Sequence, residues 1–174
     1  MLFFGRIRYI LKVYMIYAWR KNVQISLKGY IDSDVRIKIA NNANLNAKYF
    51  EALKGTQIVV EQGACLDLGD KVFFNRYCSI NVKNKVKIGK GSLFGEGVKV
   101  YDHDHIYTKE LQSNEFNIDV VDIGENCWLG SNVVVLKKTM IGNGVVIGAG
   151  VIVRGNINNN LLVINEQNLK YKEI

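Results

Sequence analysis

Two stretches of this chain return a large apolar residue at every sixth position. The longer runs through Ile123, Leu129, Val135, Ile141, Ile147 and Val153, and the shorter through Ile88, Phe94 and Val100. Four residues after members of these runs come Ser92, Val98, Cys127, Val133, Thr139, Val145 and Val151, a second set of small or aliphatic positions. Glycine directly follows the apolar residue at Gly89, Gly95, Gly124, Gly130, Gly142 and Gly148. A period of six is neither the 3.6 of a helix nor the 2 of an uninterrupted strand. It fits alternation broken by a turn at every sixth step, the pattern of a parallel β-helix. No single turn can bury its apolar residue alone, but stacked turns align these residues into a continuous interior.

The same spacing begins at Ile25, Ile31 and Ile37, loosens through ANNANLNAKYFEALKG, which reads as a degenerate coil, and resumes at Leu68, Phe74 and Ile80. Residues 22–160 are therefore expected to form the β-helix. Residues 101–120, YDHDHIYTKELQSNEFNIDV, break the period and are expected to leave the solenoid as an inserted loop. Residues 1–21, MLFFGRIRYILKVYMIYAWRK, read as an amphipathic N-terminal helix. Its charges at Arg6, Arg8 and Lys12 interrupt any apolar run long enough to span a bilayer, so it is expected to pack on the solenoid or lie on a membrane surface. Residues 161–174 are expected to form a C-terminal tail, a last strand-like piece followed by a polar stretch.

Composition refines this picture in three places. The chain has no proline, which suits a fold whose turns are made by Gly and Asn. A net charge of +7 raises the question of nucleic acid, but the basic residues are dispersed and no nucleic-acid motif is present, so no such partner is expected. Cys65, Cys78 and Cys127 lack metal-ligand spacing and read as reduced thiols, which points to the cytoplasm.

The candidate chemistry lies in YDHDH, which holds both histidines of the chain. In an extended strand His103 and His105 share one side, with Asp102 and Asp104 on the other. A catalytic zinc site normally takes three protein ligands. With only two histidines available, no metal is expected. Imidazole near neutral pH is suited to accept a hydroxyl proton, so general-base catalysis is the favoured role.

The repeats IGKGSLFGEGVKV and IGENCWLGSNVVVLKKTMIGNGVVIGAGVIV resemble the hexapeptide-repeat acyltransferases. Together with DHDH and WLGSNVVV, they resemble in particular the O-acetyltransferases of bacterial surface polysaccharides, of O-antigen and colanic-acid type. The resemblance implies a left-handed parallel β-helix and direct acetyl transfer from acetyl-CoA to a sugar hydroxyl. It implies His103 as the general base and Trp128 as a second active-site residue. Asn81 falls where acceptor-hydroxyl contacts lie, and Asp102 and His105 are expected to line the same acceptor site. Ser131, Ala149, Arg154 and Lys170 fall on positions that hold CoA. The segment VINEQNLKYK departs from the Gly-x-Pro-Ala type ending of the family. The family further implies a homotrimer with active sites between subunits, so that His103 and Trp128 could come from different chains. Two other readings stay open: N-acetylation of an amino sugar nucleotide, and a non-catalytic β-helix scaffold.

Overall fold

The computed structural model describes residues 22–107 and 111–166, together with Ile7, Ile10, Leu11, Val13 and Tyr14; of 111–114 only the backbone is described. The expected N-terminal helix lies mostly outside these residues, but its five described positions are all helical. Val13 is fully buried and joins the core, whereas Ile7, Ile10, Leu11 and Tyr14 are exposed. No helix among the described residues is long and apolar enough to cross a membrane.

Short parallel strands wind into a three-faced β-helix, as the hexapeptide period predicts, and its left-handed sense is the one the family resemblance implies. The first face stacks Val23–Ile25, Asn44–Ala47, Cys65–Leu68, Lys85–Ile88 and Val120–Ile123, then residues 139–141 and 155–157. The second is a 7-stranded sheet, Gly29–Ile31, Phe50–Ala52, Val72–Phe74, Leu93–Phe94, Trp128–Leu129, Val146–Ile147 and Leu162–Val163. The third stacks Arg36–Ile39, Gln57–Val60, Ser79–Val82 and Lys99–Tyr101 below residues 134–135 and 152–153. The solenoid thus continues into the expected tail, since Leu162–Val163 pairs with Val146–Ile147.

The six-residue positions form the interior columns. On the second face Phe74, Phe94, Leu129 and Ile147 lie one above another, all essentially inaccessible, and the rings of Phe74 and Phe94 sit 4.9 Å apart. The second set, including Ser92, Cys127, Val133 and Thr139, is buried as well. The polar members are satisfied internally: Ser92 Oγ donates to the Gly124 carbonyl at 2.9 Å, and Thr139 Oγ1 to that of Leu136 at 2.6 Å. The stretch read as a degenerate coil carries two regular strands, Asn44–Ala47 and Phe50–Ala52, each in register with its neighbours. Its pattern looked weak because Ala43, Ala47 and Ala52 fill interior positions, where Phe50 supplies the missing volume.

Between the first and second faces the turns approach closely. A Cβ on Gly89 would lie 2.5 Å from the carbonyl atoms of Gly124, and one on Gly124 would lie 2.6 Å from the Gly142 carbonyl carbon. Glycine recurs after the apolar residue because only a residue without a side chain lets consecutive backbones stack there. Residues 101–120, expected as a loop, form an antiparallel hairpin between His103–Tyr107 and Leu111–Ile118. It emerges at the edge where the third face meets the first.

Candidate active site

The root of the hairpin is held by two aspartates. The Asp102 carbonyl accepts the Asp119 amide at 2.9 Å, which closes the hairpin base. Asp119 Oδ1 accepts the following amide of Val120 at 2.8 Å and turns the chain back into the first face. The side chain of Asp102 is fully buried and points into the preceding turn. There it accepts the Lys83 amide on both oxygens, at 2.9 and 3.0 Å, and the Asn84 amide on Oδ2 at 2.7 Å.

The remaining contact of that carboxylate is with His103 Nδ1, 2.8 Å from Asp102 Oδ1. The carboxylate's other partners are backbone amides, all donors; in a neutral imidazole whose Nδ1–H donates to this carboxylate, Nε2 is the acceptor nitrogen. The side chain of His103 is 14% exposed, and Nε2 has no hydrogen-bond partner among the described residues. This is the arrangement of a base held by an orienting acid. Asp102, expected to line the acceptor site, is instead sealed from solvent, with His103 as its side-chain partner.

Aromatic rings wall the imidazole. Tyr101 meets it edge-on with centroids 6.2 Å apart, and Phe116 from the opposite hairpin strand does so at 5.4 Å. His105 is exposed and packs on Phe116 at 4.5 Å, and the Lys83 ammonium lies 4.0 Å from that ring's centroid. Asn81 sits one turn away, directly in register with Tyr101, and its Nδ2 donates to Ser79 Oγ at 2.9 Å. His103, His105 and Asn81 are thus gathered at one edge. The sequence reading missed Tyr101, Phe116 and Lys83; the alternation of the hairpin strands could have flagged Phe116 only once the register was known.

The other expected residues are spread around the prism. Trp128 is on the second face, opposite this edge, and is 55% exposed between Leu93 and Val146; within one chain it does not join His103. Ser131 and Ala149 are stacked at the edge between the second and third faces, where the Gly150 amide donates to the Ser131 carbonyl at 2.9 Å. Arg154 lies instead at the hairpin edge, 3.7 Å from Asp104. Lys170 lies outside the described residues. No cluster of three or more His, Cys, Asp or Glu side chains is placed to hold a metal among the described residues. A broad groove along the first face, lined by Lys87, Asp122, Met140, Asn143 and Asn159, contains none of the hairpin residues.

The chain is a hexapeptide solenoid whose inserted hairpin carries both of its histidines. The family model described as "Bacterial transferase hexapeptide (six repeats)" matches residues 121–155. Over 170 residues the chain is 31% identical to WbbJ of Escherichia coli, covering 91% of this chain and 83% of that protein. The chain belongs to the hexapeptide-repeat acetyltransferases. The name of WbbJ describes an O-acetyl transferase of lipopolysaccharide biosynthesis. Two solved structures share the fold. A variant of AntD, an N-acyltransferase from Bacillus cereus in complex with dTDP and coenzyme A, superposes with a TM-score of 0.61 at 12% identity, covering 87% of this chain and 83% of that one. The hexapeptide-repeat acetyltransferase VCA0836 of Vibrio cholerae, complexed with acetyl coenzyme A, gives 0.60 at 17% identity, covering 92% and 78%.

Proposed function

We propose that this acetyltransferase moves the acetyl group of acetyl-CoA onto a sugar hydroxyl during assembly of a bacterial surface polysaccharide, of O-antigen or capsule type. The observation that carries the reading is the buried Asp102 carboxylate holding Nδ1 of His103, with Nε2 unpartnered among the described residues. The likeness to WbbJ along most of both chains supports the substrate class. In the reaction, Nε2 of His103 takes the acceptor hydroxyl proton as that oxygen bonds to the thioester carbonyl carbon. The carbon–sulfur bond then breaks, and the imidazolium returns its proton to the departing thiolate. Asp102 offsets the positive charge that His103 carries between these steps. Asn81 and His105 face the acceptor, while Ser131, Ala149, Arg154 and Lys170 hold CoA.

The assembly proposed is a homotrimer. Its support is a column of outward apolar residues in register on the second face, Phe73, Leu93, Trp128, Val146 and Leu162. Leu93, Trp128 and Leu162 are exposed in the single chain. A second copy on this face would bring Trp128 to the neighbour's hairpin edge and complete the site. The protein is proposed to work in the cytoplasm, with its N-terminal segment against the inner membrane surface. Ile7, Ile10, Leu11 and Tyr14, at helical i, i+3, i+4 and i+7 spacing, are exposed. Six basic residues and no acidic one precede Asp32 in the sequence.

Thiol release from acetyl-CoA with saccharide acceptors tests the proposal. His103→Ala should lose on the order of 10²–10⁴-fold in turnover; full activity would remove the base assignment. The product should be an ester cleaved by mild base. A base-stable amide would mean an amino-sugar acceptor, and absence of CoA binding in calorimetry would mean a scaffold.

A further inference from the structure

Asp102 ties the hairpin to the turn before it, and a second acid two residues on ties it to the turns after. Asp104 Oδ1 is 3.2 Å from the Lys137 ammonium, at the same edge one turn further along. Its Oδ2 is 3.7 Å from the Arg154 guanidinium, another turn along. Lys137 is largely covered, its side chain 21% exposed, while those of Asp104 and Arg154 are 36% and 59% exposed. Asp104 Oδ1 is itself shut off from solvent and accepts no aligned hydrogen bond among the described residues. Its charge is answered by the ammonium of Lys137. The segment that presents Lys137 is also braced, because Thr139 Oγ1 donates to the Leu136 carbonyl and to that of Val153.

We propose that Asp104 and Lys137 form a positioning clamp that holds the hairpin strand carrying His103 against the solenoid. His103 then sits between two anchored acids, Asp102 on one turn and Asp104 on the next, and the strand cannot tilt without breaking one. The clamp rests on the reading of His103 as the base. Removing Lys137 leaves the covered Oδ1 of a half-buried carboxylate without its counter-ion, and the strand shifts to let water reach it. A displacement near 1 Å at a reacting group can lower the rate on the order of 10²-fold. Arg154, exposed and more distant, contributes little to the clamp.

The test uses the full-length protein with Lys137→Met, Lys137→Arg, Asp104→Asn and the double variant Asp104→Asn/Lys137→Met. Deuterium exchange of the 103–118 amides needs no acceptor. It should quicken in Lys137→Met, return toward wild type in Lys137→Arg, and recover in the double variant, where no unpaired charge is buried. In acetyl transfer, Lys137→Met should lose on the order of 10–100-fold in kcat with KM for acetyl-CoA unchanged. Unchanged hairpin exchange in Lys137→Met overturns the clamp. Faster exchange with unchanged kcat overturns its positioning role, and a rise in KM for acetyl-CoA at constant kcat makes Lys137 a CoA ligand instead. If wild type transfers no acetyl group while exchange responds as expected, the clamp stands and the proposed function fails.

Discussion

Replacing Asp102 by Asn tests the heart of the site with one atom exchanged. The amide has nearly the volume of the carboxylate, so the buried pocket stays filled. Its donors and acceptors do not match, however. Lys83 and Asn84 present backbone amides 2.7–3.0 Å from the carboxylate, and these require the amide oxygen. The NH₂ group then faces His103 Nδ1 at 2.8 Å, where the wild type has an acceptor. To receive it, Nδ1 must give up its proton and Nε2 must take one, leaving no lone pair toward the acceptor hydroxyl. Losing a positioned base costs on the order of 10²–10⁴-fold in kcat, or roughly 3–5 kcal/mol of transition-state stabilisation. Weakening the charge-assisted bonds costs about 2 kcal/mol of stability. That lowers Tm by about 4–8 °C for a chain of this size. Steady-state thiol release across the range where imidazole titrates, with a melting curve, separates the two effects. The loss should persist at every pH, because no protonation change restores the tautomer. A folded Asn variant with near wild-type kcat would refute the reasoning.

Other expectations follow from the packing. Gly89→Ala drives a Cβ to 2.5 Å from the Gly124 carbonyl, so it should destabilise by about 1–3 kcal/mol, read as a lower denaturant midpoint; an unchanged midpoint would mean that the turns can separate. Burial pushes the Cys78 thiol up to about 11, and its Sγ donates to the Gly95 carbonyl at 3.2 Å. At pH 8 only about 10⁻³ of it is thiolate, so a thiol reagent should modify the partly exposed Cys65 first and reach Cys78 only on denaturation. Fast native labelling of Cys78 would contradict its burial. Wild type should sediment with phosphatidylglycerol vesicles at low salt, and Leu11→Glu, at a site 55% exposed, should not; equal binding by both would exclude insertion of that helical face.

The position of the candidate site in the fold was legible in the chain, because the solenoid is nearly one-dimensional. Where every turn repeats, an interruption must leave the stack, and the only two histidines fall within the interruption. His103 and Asn81 could be placed near one edge by counting, since register follows from the repeat. Roles within the site were harder. Asp102 and Asp104 look equivalent in DHDH, yet one is sealed against the turn before and the other faces lysine and arginine from the turns after. Arg154, assigned to CoA from the family pattern, also comes within 3.7 Å of Asp104 at the hairpin edge, which spacing alone did not show.

The sequence by itself determined the solenoid, its interior columns and the point where the hairpin departs. Those depend on burial and on stacking of neighbouring turns, both periodic and local. Only the tertiary structure decided that Asp102 meets Nδ1 of His103, that Lys137 answers Asp104, and that Trp128 stands on the far face. These depend on which side chains of different turns share an edge, and on directions that spacing alone does not specify. A repeat says what is inside; the partners across turns decide what each outward group can do.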